Sequence, residues 1–218
     1  MVLNAEGAKD FDFGGMRVII GGSALNRSLY NAAQAKGMQL GAAYGMSETC
    51  PLISAGYINL EDEAASDEQR ISQRIKAGVP GPLVEARLMA ADGSFLPKDG
   101  TTQGELVLRA PWLTQAYFRE PEKSQELWAG GWLHTGDVAT ISPAGTIEIR
   151  DRIKDVIKTG GEWLSSLELE DRISRSPLVA EVAVVGIPDP RWDERPFALV
   201  VPAAGQTVTA QAISDHLM

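Results

Sequence analysis

The 218-residue sequence predicts an α/β segment, then a small antiparallel β-sheet or barrel, then an α+β module. Three observations predict it. Near the start, an apolar run, a glycine pair, a helical pattern and a second apolar run read as a βαβ unit. From Ala77 to Arg150, short β-type runs alternate with turn signals. Beyond Arg150 come a helical pattern, two strand patterns and the start of another helix.

The βαβ unit is "MRVIIGGSALNRSLYNAAQAKG" followed by "MQLGAAYG". Val18 to Ile20 form the first strand, and Gly21-Gly22 break it. Ser23 or Asn26 can cap a helix that carries Leu25, Leu29 and Ala33 on one side, and Gly37 is placed to end it. Residues 61–76, "EDEAASDEQRISQRIK", are polar and read as a surface loop or short helix. The middle strands are "VEARLMA", "GELVLRA" and "TIEIR", separated by "ADGS", "PKDG" and "SPAG". The last module holds "SSLELEDRISRS", with Leu167, Leu169 and Ile173 at helical spacing. Then "VAEVAVVGIP" and "PFALVVPA" read as strands, and "TAQAISDHLM" starts a helix. The expected divisions are 1–76, 77–150 and 151–218.

Composition excludes several classes. Hydrophobic residues make up 44% of the chain, enough for a core, and 22% charged residues with no biased tract argue against disorder. A net charge of −9 disfavours nonspecific binding to nucleic acid or anionic membrane, so any cationic cluster is local chemistry. Cys50 is the single cysteine, which rules out an internal disulfide and fits a cytoplasmic location. No run of 18 apolar residues appears and the first residues are acidic and mixed, so neither a membrane span nor a signal peptide is expected.

Three stretches can carry chemistry. "AAYGMSETCP" (42–51) follows a predicted strand, where ligands of α/β sheets usually bind. There Tyr44 offers a flat face, Gly45 a close backbone approach, Ser47 a hydroxyl and Glu48 a hard oxygen ligand, a set that suits a nucleotide with Mg²⁺. The plain alternative is a turn with a half-buried Tyr and a solvated Glu. "GGWLHTGDVA" (130–139) sets Asp137 between apolar segments, where a carboxylate can accept from a ribose diol or simply form a turn. His134 is one of two histidines and has no partner at metal-ligand spacing, so zinc is not expected. "IRDRIKDVIKTGGEWL" (149–164) is dense in cations. If 149–154 are extended, Arg150, Arg152 and Lys154 share one face, opposite Ile149 and Ile153, and need water or an anion between them. A solvated edge strand is the alternative. Gly160-Gly161 argue against a helix through Lys154 and Lys158, and either admit a ligand or make a turn.

Taken together these stretches resemble the adenylate-forming superfamily and, within it, the fatty acyl-CoA synthetases. "YGMSETCP" resembles the family's Tyr-Gly-x-Thr-Glu motif for adenine and Mg²⁺, and "GWLHTGD" its Thr-Gly-Asp ribose motif. "GELVLRAPWLTQAYFREPEKS" resembles its central Gly-Glu-Leu to Pro-Glu segment. "DRIKDVIKTGGEWLSSLELE" is similar to the linker motif of the long- and medium-chain fatty acid enzymes, and "VVGIPDPRWDERPFALVV" to the start of their mobile C-terminal domain. The resemblance implies the back part of a large N-terminal domain, a distorted barrel, and part of that mobile domain.

It also implies roles. Tyr44 stacks on adenine, and Gly22, Ser23 and Ala24 line the adenine and acyl side. Ser47, where the family usually has Thr, touches phosphate beside Gly45, and Glu48 holds Mg²⁺. Asp137 and Arg152 bind the ribose hydroxyls, and Lys154 is the hinge. Lys158 and the glycines after it face the active site after domain rotation. Trp163 is either a nucleotide contact or a packing aromatic. Asp151 and Ala116 stand where Gly is common.

The implied reaction activates a fatty acid with ATP to an acyl-adenylate, releasing pyrophosphate. Transfer to coenzyme A then releases AMP. The family's phosphate loop and its adenylation lysine are not found in these 218 residues. Each such loss can cost roughly 10²- to 10³-fold, so the expectation for this chain alone is negligible turnover. A nucleotide-binding fragment, a structural or interaction piece, and a ligase for another acid remain as alternatives, and a homodimer of the parent protein is left open.

Overall fold

The computed structural model describes residues 3, 5–8, 10–56 and 66–217. The chain divides into two compact units, Met1–Thr135 with Ala139–Ile149, and Gly136–Val138 with Arg150–Met218.

The first unit opens with the expected βαβ arrangement. Strand β1 (Arg17–Ile20) leads to helix α1 (Arg27–Gln34) and β2 (Gln39–Tyr44), and β1 and β2 pair in parallel from Arg17↔Gln39 to Ile20↔Ala42. Asn26 is the cap: its side chain accepts from the Leu29 N–H at 2.8 Å. Tyr30 and Ala33 form the buried side of α1, with Leu25 buried just before it, whereas Leu29 is exposed, contrary to its expected inward position. The helix starts at Arg27, so Leu29 falls one position short of the stripe that Tyr30 and Ala33 occupy. Gly37 lies past the end of α1 at φ +83°, and the Met38 N–H returns to the Ala33 carbonyl at 3.1 Å.

Short strands β3 (Ser54–Ala55) and β4 (Val79–Pro80) extend this sheet in the order β1-β2-β3-β4, with β2–β3 and β3–β4 antiparallel. In the polar stretch 61–76, residues 61–65 lie outside the described residues. Residues Asp67–Arg74 form helix α2, capped by Ser66 and Gln69.

The middle strands are β5 (Glu85–Met89), β6 (Gly104–Arg109), β7 (Leu133–Ile141) and β8 (Ile147–Arg152), in the order β5-β6-β7-β8. Strands β5 and β6 are antiparallel, and helix α3 (Pro121–Leu127) lies between β6 and β7 in sequence. Leu88, Leu106, Leu108, Leu133, Ile141 and Ile147 are fully buried in one apolar cluster. The segment around Asp137 is the middle of β7, which removes the turn alternative. One expectation needs correcting. Strand β8 ends at Arg152, so Lys154 sits in the following turn and the row of three cations on one extended face is broken after Arg152. The turn forms because the Asp155 and Val156 N–H groups both return to the Arg152 carbonyl at 2.9 Å.

In the second unit, β9 (Ile157–Thr159) and β10 (Glu162–Leu164) form a hairpin around Gly160-Gly161. Their φ values of +60° and +85° suit a type I′ turn, which favours glycine at both places. Helix α4 (Ser166–Ser174) is capped by Ser165 and buries Ile173, with Leu169 against the same cluster; Leu167 stays exposed. Strands β11 (Val179–Asp189) and β12 (Asp193–Pro202) form a long antiparallel pair, and α5 (Ala210–Leu217) follows. The sheet order is β10-β9-β12-β11, over a core of Ile157, Ile173, Val184 and Ile213.

Candidate functional site

Parallel pairing makes β1 and β2 leave their sheet at the same end. Gly22, Ser23 and Ala24 follow β1 there and are all exposed. Tyr44 is the last residue of β2, half-buried, and packs against the apolar cluster of the first unit. Gly45 does permit a close approach, but to the chain itself: a Cβ there would fall 1.7 Å from the Pro51 carbonyl oxygen.

That approach folds 46–51 into a tight loop containing a 3₁₀ turn, Ser47–Thr49. Buried Thr49 pins it. Its hydroxyl accepts from the Met46 N–H at 2.9 Å and donates to the Pro51 carbonyl at 2.7 Å. Ser47 remains exposed and Glu48 half-buried.

A second segment clamps this loop from 63 or more residues away. The Trp112 indole N–H donates to the Thr49 carbonyl at 3.1 Å, and the Thr114 N–H to the Glu48 carbonyl at 2.9 Å. The Tyr117 hydroxyl donates to Glu48 Oε1 at 2.6 Å. Its hydrogen bond to Glu48, then burial and the carboxylate's charge, push the Tyr117 phenol up to about 12. No role is assigned to Tyr117 from sequence. A separation of 69 residues leaves no local signal for such a contact.

Among the described residues, no group of three or more His, Cys, Asp or Glu side chains could cage a metal. A single half-buried carboxylate fits Mg²⁺ all the same, because that ion keeps waters and takes phosphate oxygens. Glu48 is the residue that would hold it.

The second unit holds the other expected group. Asp137 is 4% exposed, and its Oδ1 lies 3.2 Å from Arg152 Nε, so the structure joins this predicted pair. Gly136 adopts φ +69° within β7, and its carbonyl accepts from the Ile153 N–H at 2.9 Å, which holds the end of β8. Arg152 is largely exposed, so its guanidinium is pinned on the Asp137 side and open on the other.

Asp151, read from sequence only as a departure from Gly, has a structural task. It is 2% exposed and accepts from the Arg152 N–H at 2.8 Å, the Ser166 N–H at 2.6 Å and the Ser166 hydroxyl at 2.9 Å. One carboxylate thereby fastens the strand that carries Arg152 to the N-terminus of α4, where negative charge is favoured. Ser165 adds a 2.6 Å bond from its hydroxyl to the Arg150 carbonyl.

Lys154 is exposed in the turn after β8. Lys158 is exposed on β9 opposite Trp163 on β10, and its N–H donates to Glu194 Oε2 at 2.8 Å. Trp163 is 49% exposed, so it is not a packed core aromatic in this unit. The ring over the hairpin is instead Trp192: a Cβ on Gly160 would meet it at 3.2 Å.

Residues 1–118 match the family model of AMP-binding enzymes, and residues 168–218 match that of the AMP-binding enzyme C-terminal domain. A long-chain-fatty-acid–CoA ligase of Thermus thermophilus is 40% identical over 203 residues, 93% of this chain and 37% of the relative. A 3-methylmercaptopropionyl-CoA ligase of Ruegeria lacuscaerulensis is 43% identical over 191 residues, covering 87% and 35%. The chain thus spans little more than a third of the length of these relatives. Among solved structures, the amide bond synthetase McbA of Marinactinospora thermotolerans aligns with TM-score 0.79 at 31% identity, over 92% of this chain and 40% of that one. ATP-bound MatB of Rhodopseudomonas palustris aligns with TM-score 0.78 at 28% identity, covering 91% and 38%.

Proposed function

Because this chain belongs to the AMP-binding enzyme family, we propose that it carries the adenosine-binding and hinge elements of an ATP-dependent acid–CoA ligase. The observation that carries this reading is the Asp137–Arg152 pair. A buried carboxylate fixed by a cation that stays half open offers acceptor and donor together, which a vicinal diol satisfies.

In this reading Tyr44 stacks on adenine, and Gly22, Ser23 and Ala24 line the adjoining wall. Ser47 donates to phosphate. Glu48 binds Mg²⁺, whose chemistry is to offset the charge that accumulates at phosphorus. The acid attacks the α-phosphorus and displaces pyrophosphate, giving the acyl-adenylate. Lys154, in its exposed turn, is the hinge about which the C-terminal residues that follow it turn. Lys158 and the Gly160-Gly161 hairpin then face the adenylate while the coenzyme A thiol attacks the acyl carbonyl and AMP leaves. We assign a fatty acid as the substrate, on the resemblance of "TGGEWLSS" to the fatty acid enzymes. The 43% identity to a 3-methylmercaptopropionyl-CoA ligase favours a short thioether acid as the second reading. Turnover with a panel of acids in the parent protein separates the two. These 218 residues alone are expected to support little ATP–pyrophosphate exchange.

Calorimetry tests the nucleotide site. The chain is expected to prefer AMP over its 2′,3′-dideoxy analogue. Arg152→Ala or Asp137→Asn should erase most of that preference, about tenfold or more for hydrogen bonds to charged groups. Tyr44→Ala should weaken both nucleotides by roughly 1–3 kcal/mol. Equal affinity of the unaltered chain for the two nucleotides refutes the ribose assignment.

A further inference from the structure

We propose that Tyr117 is a positioning residue for Glu48: its hydroxyl occupies Oε1 and leaves Oε2 aimed for the metal–nucleotide complex. The proposal rests on the reading of Glu48 as the metal ligand. Its own support is the geometry within the first unit.

A glutamate on a short surface turn has three rotatable side-chain bonds and would sample many positions. Here both ends of the residue are held. The Glu48 carbonyl accepts from the Thr114 N–H at 2.9 Å, and Oε1 accepts from Tyr117 at 2.6 Å. Tyr117 is itself fixed from two sides. Its N–H donates to the Ser124 hydroxyl at 2.9 Å, and its ring packs against the apolar cluster that includes Leu113 and Leu127. The segment 112–117 is therefore a rigid brace for the loop 46–51. A phenol is well suited to the task. It donates one hydrogen bond without adding positive charge, so it orients the carboxylate while leaving its negative charge for a cation. A lysine or arginine there would neutralise that charge. Groups that orient a ligating carboxylate typically contribute 10- to 100-fold in metal affinity or activity.

The test is Tyr117→Phe, which removes one oxygen and keeps the packed ring, compared with Glu48→Gln and the double variant. Binding of Mn²⁺ is read by electron paramagnetic resonance in the presence of adenylyl imidodiphosphate. Binding of that analogue without metal is read by calorimetry, and thermal unfolding checks the fold. Tyr117→Phe is expected to weaken Mn²⁺ binding about tenfold, leave metal-free analogue binding unchanged, and add nothing on the Glu48→Gln background. Unchanged Mn²⁺ binding in Tyr117→Phe, with a clear loss in Glu48→Gln, overturns the positioning role alone. Equal losses with and without metal also overturn it and leave Tyr117 a structural residue. Full Mn²⁺ binding by Glu48→Gln overturns the metal-ligand reading and the proposal with it.

Discussion

Replacing Asp151 by alanine should unfasten the second unit at the point where β8 meets α4. The carboxylate is 2% exposed and accepts three hydrogen bonds, from the Arg152 N–H, the Ser166 N–H and the Ser166 hydroxyl. Alanine leaves all three donors without their acceptor. Ser166 is also buried, so its N–H cannot simply turn to water, and an unsatisfied buried donor costs about 1–3 kcal/mol. The Ser166 hydroxyl can rotate, and the Arg152 N–H is nearer the surface. Removing the buried charge also recovers part of its desolvation cost. The net expectation is about 2–4 kcal/mol, less than three full charged hydrogen bonds at about 1.5–3 kcal/mol each. With an m-value of about 1–3 kcal/mol/M, urea unfolding should show a midpoint lower by about 1–2 M at unchanged slope. Asp151→Asn is the sharper variant. It keeps the volume but turns one acceptor into a donor, so either Ser166 or Arg152 faces an NH₂ group. It should recover less than half of the loss. A midpoint for Asp151→Ala within about 0.3 M of the unaltered chain, on the same slope, would refute the claim that this carboxylate fastens α4.

The hairpin glycines should respond unequally to alanine. Both pay for a positive φ, about 1–2 kcal/mol for an L side chain in the left-handed region. Gly160→Ala also presses on Trp192 at 3.2 Å, while Gly161→Ala meets nothing within 4 Å. Unfolding should therefore rank Gly160→Ala as the more damaging, with a change in tryptophan emission that Gly161→Ala lacks; the reverse order contradicts the turn assignment. Asp99 offers a pH test. The backbone N–H of Thr102, then that of Thr101, then the Thr102 hydroxyl hold its carboxyl well below the ordinary 3.8. A depressed folded pKa contributes stability that is present above the unfolded value and fades as pH falls below it. Asp99→Ala should then be destabilising at neutral pH and progressively less so in acid, and a penalty that grows in acid would contradict the capping geometry.

Local rules were legible where the chemistry is local. Asn26 one step before a helical pattern and Gly37 just past it act on backbone within a few residues, and both positions follow from residue type. Errors arose where a long-range partner decided. In 130–139 a turn stands as the alternative to a ribose site because Gly136-Asp137 are turn residues. Pairing with neighbouring strands overrode that preference and placed the carboxylate inside β7. The run of cations after Ile149 looked continuous because period two assumes an unbroken strand. The return of two N–H groups to the Arg152 carbonyl ends the strand and sends Lys154 elsewhere. Asp151 and Tyr117 went unassigned because their partners lie 15 and 69 residues away.

Sequence by itself determined the succession of an α/β segment, a strand-rich middle and an α+β module, and the residue types able to meet a nucleotide. Those properties arise from bonds and steric limits spanning a few neighbours. Only the tertiary structure decided which carboxylates are held and by what: Glu48 by Tyr117, Asp137 by Arg152, Asp151 by Ser166. A carboxylate's chemistry depends on the donors within 3 Å or so of its oxygens, and proximity of that kind is created by packing distant segments together.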